Sequence, residues 1–200
     1  MKVIPLRIFL FIAILSLIIS CRKEGKARLS DYTIQLESSR ADGGTAVNKC
    51  FVDLDIGQAY AFDDAKVNQN KVDLMYTYMV PVGGYLRILQ PMHTPAFPEF
   101  SNLSLSTITP ADTSGMTDAD FDDLENSGDV ERLFKKFNFQ FWQGAYVDIT
   151  RSADDLPQQR IFAFVTGDTK KKGFLKVVTY QPRLGTFDKA TITIQVKIQS

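Results

Sequence analysis

The 200-residue chain has two cysteines, one histidine and one tryptophan, so it is short of the side chains that most site chemistry draws on. Cys21 falls at the end of an N-terminal apolar segment, which leaves Cys50 alone in the rest of the chain. One cysteine cannot close an internal disulfide, so a disulfide-stapled scaffold is excluded, and Cys50, in an alternating stretch, reads as a small buried apolar residue. With His93 as the sole histidine, zinc has too few nitrogen and sulfur ligands. A serine hydrolase has one available base and no Gly-x-Ser-x-Gly motif, and Cys50 with His93 is the only thiol pair on offer. No pair of acids stands out as a glycosidase pair. These absences argue against an enzyme.

Charge of one sign is also missing: 23 basic residues balance 23 acidic ones. Removing Lys2 and Arg7 with the N-terminal segment leaves the remainder slightly acidic, without the electrostatic footprint of nucleic-acid binding. Long hydrophobic runs are lacking too. The longest, Ile8 to Ile19, is interrupted only by Ser16. At a helical rise of ~1.5 Å its length covers about 18 Å of the ~30 Å hydrocarbon core, too little for a transmembrane helix but right for a signal peptide.

What is present begins with that segment. Lys2 and Arg7 form a basic start, and Ile18-Ile19-Ser20-Cys21 closes the apolar run. The motif resembles the lipobox of bacterial lipoproteins. The resemblance implies a diacylglyceryl group on the Cys21 thiol, cleavage after Ser20 and a further acyl chain, such as palmitate, on the new amino terminus. Each buried methylene contributes about 0.8 kcal/mol, so two or three chains hold a protein to a bilayer where one does not. The expected organisation is a signal peptide over 1–20, a tether over 21–30 and one β-rich domain over 31–200. The expected location is the cell envelope, with the membrane as partner through the lipid. Arg22, Lys23, Lys26 and Arg28 make the tether basic, whereas surface-export tags resemble acidic runs, which favours the periplasmic side.

Beyond the tether, apolar residues recur mostly with a period of two. Tyr32–Leu36 predicts a strand, Cys50–Leu54 and Gln58–Phe62 a hairpin around Asp55-Ile56-Gly57, and Asp63–Asn68 a single helical turn capped by Asp63. Lys71–Val80 predicts a strand with Val72, Leu74, Tyr76, Tyr78 and Val80 on one face. Tyr85–Leu89 predicts another, stopped by Pro91. Residues 91–116 carry Pro91, Pro95, Pro98 and Pro110 and no sustained period, the place to look for a binding rim or for a short edge strand near 103–108.

Two helices are expected, around 117–126 and 129–137. Thr117 with Asp118 and Asp120 gives a capping-box-like start, and Val130, Leu133, Phe134 and Phe137 form a stripe for packing on a sheet. The acids Asp118, Asp120 and Asp122 imitate the opening of a calcium loop, but Asp123 stands where the bend needs glycine and Asp129 where a bidentate Glu is required. Strands are expected again over Phe139–Ile149, Arg160–Val165, Phe174–Tyr180 and, by strict alternation, Ile192–Ile198. The Lys170, Lys171 and Lys172 hairpin tip reads as a solvated face. The fold class is therefore mainly β, a β-sandwich or half-open barrel with two short helices.

The phrase Phe51-Val52-Asp53-Leu54-Asp55-Ile56-Gly57-Gln58, with Gly173-Phe174-Leu175-Lys176-Val177 and Ile192-Thr193-Ile194 behind a lipobox, resembles HmuY-type haem-binding lipoproteins. That resemblance implies a β-protein holding haem iron between axial side chains on loops. It points to His93, with Met92 beside it and Met116 across the long loop. The functional expectation is a non-catalytic ligand-binding or capture lipoprotein, with haem as the one cofactor the resemblance suggests. The alternative is a structural or assembly lipoprotein with a protein partner, and a hydrolase is a minor third.

Mass spectrometry of the membrane fraction should find a mature chain that begins at acylated Cys21. A chain starting elsewhere, or without acyl groups, contradicts the motif reading.

Overall fold

A computed structural model of the chain describes residues 27–40, 48–79, 86–91, 100–142, 147–150, 160–181 and 190–200. Cys21, Met92 and His93, the turns expected at 41–44, 81–84 and around Gly185, the loop at 152–159 and the break at Gly144 lie outside the described residues.

The most strictly alternating stretch supplies the centre of the fold. Strand β11 (Thr191–Gln199) points Ile192, Ile194, Val196 and Ile198 inward with no exposed surface on any of them. Each such side chain contributes roughly 1.5–3 kcal/mol relative to exposure. β11 lies between β1 (Leu29–Glu37) and β10 (Lys172–Gln181), and the order continues through β9 (Ile161–Val165) to β7 (Thr107–Pro110), all antiparallel. Pro110 is accommodated because β7 is an edge strand. The second sheet runs β4 (Gln58–Tyr60), β3 (Phe51–Asp53), β5 (Leu74–Met79), β6 (Leu86–Pro91), β8 (Val147–Thr150). The short β2 (Ser39–Arg40) joins β5 in parallel.

Ile34, Leu36, Phe162, Phe164 and Leu175 of the first sheet meet Val52, Leu54, Leu74, Tyr76, Val147 and Ile149 of the second in one apolar cluster. The two antiparallel sheets therefore pack face to face as a sandwich and do not close into a barrel. Between β1 and β2 the chain passes from one sheet to the other at Ser38, which is fully buried. Its N–H donates to the Ala190 carbonyl (2.8 Å), its hydroxyl accepts from the Ala190 N–H (3.1 Å), and Asn48 donates to its carbonyl.

Each outer face carries a further layer. α1 (Phe62–Val67) covers the second sheet, where Phe51 stacks on Phe100 with centroids 5.6 Å apart and Val72, Met75, Cys50 and Ala65 fill the space. Cys50 is buried, in line with its sequence reading. Val72 lies in this layer rather than on the inner face with Leu74, because the strand pleat begins only at Leu74. The N-cap of α1 is Ala61 with no side-chain cap bond, and Asp63 belongs to the first turn instead of capping it.

The first sheet carries α2 (Asp118–Asp122) and α3 (Ser127–Phe137), close to the expected spans. Both open with capping boxes, Thr117 with Asp120 and Asn126 with Asp129. Val130 and Leu133 are buried, Phe134 and Phe137 half-buried on Phe174 and its neighbours, and Arg132, Lys135 and Lys136 exposed. Residues 139–142 are not strand. Phe139 and Phe141 pack edge-on and stacked against Phe134 (5.4 and 5.9 Å), so aromatic packing on α3 overrides their alternation. β1 starts at Leu29, inside the stretch expected as tether. No helix among the described residues is long and apolar enough to cross a membrane.

Lys197 interrupts the polar outer row of β11 and explains how α2 is seated. Its ammonium is buried and donates to the carbonyls of Phe121, Asp122 and Leu124 (3.1, 2.9 and 3.1 Å), capping the helix C-terminus from the sheet. Lys197→Met keeps the stem and removes the cap, so it should lower stability by about 1.5–3 kcal/mol in urea unfolding. An unchanged midpoint contradicts this role.

Candidate functional site

The described residues hold one concentrated group of buried polar side chains, at the end of the sandwich where the chain enters β1. It is built from the β3–β4 turn, Asp73 ahead of β5, Ser104 and Ser106 ahead of β7, and the β9–β10 turn. Asp73 has no exposed surface. One carboxylate oxygen accepts from the Leu54 N–H (2.8 Å), and the other accepts from the hydroxyls of Ser106 and, at 3.4 Å, Ser104. Ser106 in turn accepts from the Gly167 N–H (2.8 Å), which carries the network to the β9–β10 turn.

Asp53 and Asp55 extend it. Asp53, almost fully buried, accepts from the N–H groups of Asp55 (3.0 Å) and Ile56 (3.4 Å), fixing the hairpin turn from within. Asp55 accepts from the Thr169 hydroxyl (3.0 and 2.8 Å), faces Lys171 Nζ at 3.7 Å, and its carbonyl accepts from Tyr32 OH (3.0 Å). Two glycines permit the close approach. Gly57 has φ +68°, and a side chain on it would strike the Tyr32 ring. A Cβ on Gly167 would collide with the Leu105 nitrogen and the Ser104 hydroxyl.

Burial sets the electrostatics. It raises Asp73 to about 7, against the lowering effect of the Ser106 and Leu54 hydrogen bonds. Burial also raises Asp53 to about 6, opposed by the N–H groups of Asp55 and Ile56. Asp55 is raised as well, again by burial first, with Thr169 and Lys171 opposing. The group can therefore keep a proton near neutral pH. The Ser104 and Ser106 hydroxyls are buried and turned to the Asp73 carboxylate, and that of Thr169 is turned to Asp55, so the group braces the turns and segments it joins. Among the described residues no group of three or more His, Cys, Asp or Glu side chains is arranged to hold a metal ion.

The residues singled out in the sequence fall elsewhere. Met116 is 3 % exposed and packs with Ala111, Phe121 and Leu124 beneath the helices. Of the expected ligand-facing set it is the one member described, and it lies in core. Sequence reading missed the Asp73 group, although Ser104-x-Ser106 on one side of an extended segment was a usable signal. The hairpin-tip lysines are more engaged than expected: Lys171 faces Asp55 and Lys172 Nζ meets Glu131 at 2.7 Å. No protein-family model, curated protein or solved structure matches the chain.

Because Asp73 and Asp53 bind protons more tightly folded than unfolded, where Asp titrates near ~3.9, their contribution is full below about pH 4 and is lost as pH rises through about 6 and 7. Hydrogen bonds lower Asp120 and Glu131, so their contribution is lost on acidification instead. The urea midpoint should fall between about pH 5 and pH 8, and Asp73→Asn should flatten that fall. A midpoint that rises over this range contradicts the assignment.

Proposed function

We propose that the chain is a cell-envelope lipoprotein, anchored through acylated Cys21 on the periplasmic side, whose sandwich serves as a non-catalytic ligand-binding or capture module. The observation that carries this reading is the Ile18-Ile19-Ser20-Cys21 box behind a single short apolar run. It is supported by the short distance in sequence from Cys21 to the start of β1 at Leu29, which suits a body carried directly on its anchor. Haem is the ligand class that the HmuY-type resemblance suggests, with His93 and Met92 as the axial candidates.

Adding haemin to the full chain should produce a Soret band that His93→Ala and Met92→Ala weaken or abolish. Absence of any spectral change ends the haem version. A second reading, an assembly lipoprotein with a protein partner, is favoured by Trp142, which is 72 % exposed beside the half-buried Phe141. Exposed aromatic side chains of this kind are common anchors in protein interfaces.

A further inference from the structure

We propose that the end of the sandwich bearing Ile56 and Leu105 rests on the surface of the bilayer, its basic side chains against anionic lipid headgroups. The inference builds on the lipid anchor proposed above and adds an orientation and a contact surface to it.

The five large apolar side chains most exposed among the described residues are Ile56, Val67, Leu105, Trp142 and Val178. Scattered exposed apolar residues need no explanation. Ile56 (58 %) and Leu105 (51 %), however, project from the β3–β4 turn and from the extended segment ahead of β7, which a single network brings together. Ile56 donates its N–H to Asp53, and Leu105 sits between Ser104 and Ser106, both bonded to the Asp73 carboxylate that also holds Leu54. Both segments adjoin the β9–β10 turn, through Asp55 with Thr169 and through Ser106 with Gly167. Two apolar side chains are thus presented from braced backbone, with no ordering left to be done on contact.

The same end receives the chain. The Ala27 carbonyl accepts from the Ser127 N–H (2.9 Å), Arg28 bridges to Asn126, and Leu29 pairs with Gln199 at the start of β1. On this strand end lie the Lys172 and Gly173 start of β10 and the turn before it. From Cys21 to Ala27 is a short peptide. At ~3.3–3.6 Å per residue it can reach no more than about 20 Å. An acyl group in the bilayer therefore holds this end of the body at the interface, at an effective concentration where an attraction too weak to bind a free domain is populated.

Charge agrees with the placement. Lys170 is exposed at the turn tip with φ +58° and Arg28 is exposed on the other side, against the exposed Asp31 and Asp168, while Lys171 and Lys172 are turned to Asp55 and Glu131. The tether adds Arg22, Lys23 and Lys26 against Glu24. Near an anionic leaflet the basic side chains not already paired with an acid are attracted to the headgroups.

The test uses the full lipidated chain in a Trp142→Phe background, with one reporter tryptophan at a time, in vesicles of phosphatidylethanolamine and phosphatidylglycerol containing lipids brominated high on the acyl chain. Ile56→Trp and Leu105→Trp should each lose about half their emission, while Val178→Trp, on the outer face toward the other end, should lose almost none. Replacing phosphatidylglycerol by phosphatidylcholine, or adding Lys170→Glu, should reduce quenching at position 56. If the chain carries its lipid and all three reporters are quenched alike or not at all, the orientation is wrong while the anchor stands. If mass spectrometry finds no lipid on Cys21, both fail.

Discussion

A carboxylate with no water around it must have its oxygens occupied by donors or give up its charge, and Asp73 is such a group. Its donors come from three places far apart in sequence: the Leu54 N–H, the Ser104 and Ser106 hydroxyls and, through Ser106, the Gly167 N–H. The requirement forces the β3–β4 hairpin, the entry to β7 and the β9–β10 hairpin to converge on the first residue before β5. Hydrophobic packing already fixes which face of each strand is buried, and at this end a slip would in addition strand a buried acid.

The opposite faces are secured by other means. Lys197 reaches out of β11 to carry the carbonyl end of α2, and Lys176 adds a second cation beside Asp118 and Asp122 (3.4 and 3.1 Å) over the ring of Phe121. Lys176 is mostly covered while its acidic partners are exposed, so these ion pairs position the helix more than they stabilise it. At the far end Ser38 ties the crossing strand to Ala190. The sandwich is thus held by apolar packing in its middle and by polar groups at Asp73, at Ser38 and at the C-terminus of α2.

Much of this was legible in the sequence because period two is hard to counterfeit. β11 and β1 follow their alternation, β9 is an apolar run buried on both faces, and both helix starts follow their capping residues. The failures have physical causes. Phe139 and Phe141 alternate like a strand yet pack on Phe134, since aromatic burial outweighed the pleat. The spacing of Val72 puts it on one face with Leu74, yet the strand pleat begins only after Asp73, whose carboxylate is buried, and Val72 packs in the outer layer. Of the expected site, Met116 proved to be core, since Pro110 belongs to an edge strand and the chain folds back under the helices soon after it. The buried acid network was not foreseen because its members are scattered over more than a hundred positions and converge only in three dimensions.

The end of the sandwich where the chain enters β1 is a braced platform, fixed by Asp73 as firmly as the middle is fixed by its apolar core. Native-state amide hydrogen exchange on the full chain tests this most directly, since the Leu54 and Gly167 amides are bonded only to side chains of that network. Both should exchange on the timescale of the Ile194 and Val196 amides in β11. Exchange as fast as that of the exposed Asp168 amide would show a loose end and contradict the account.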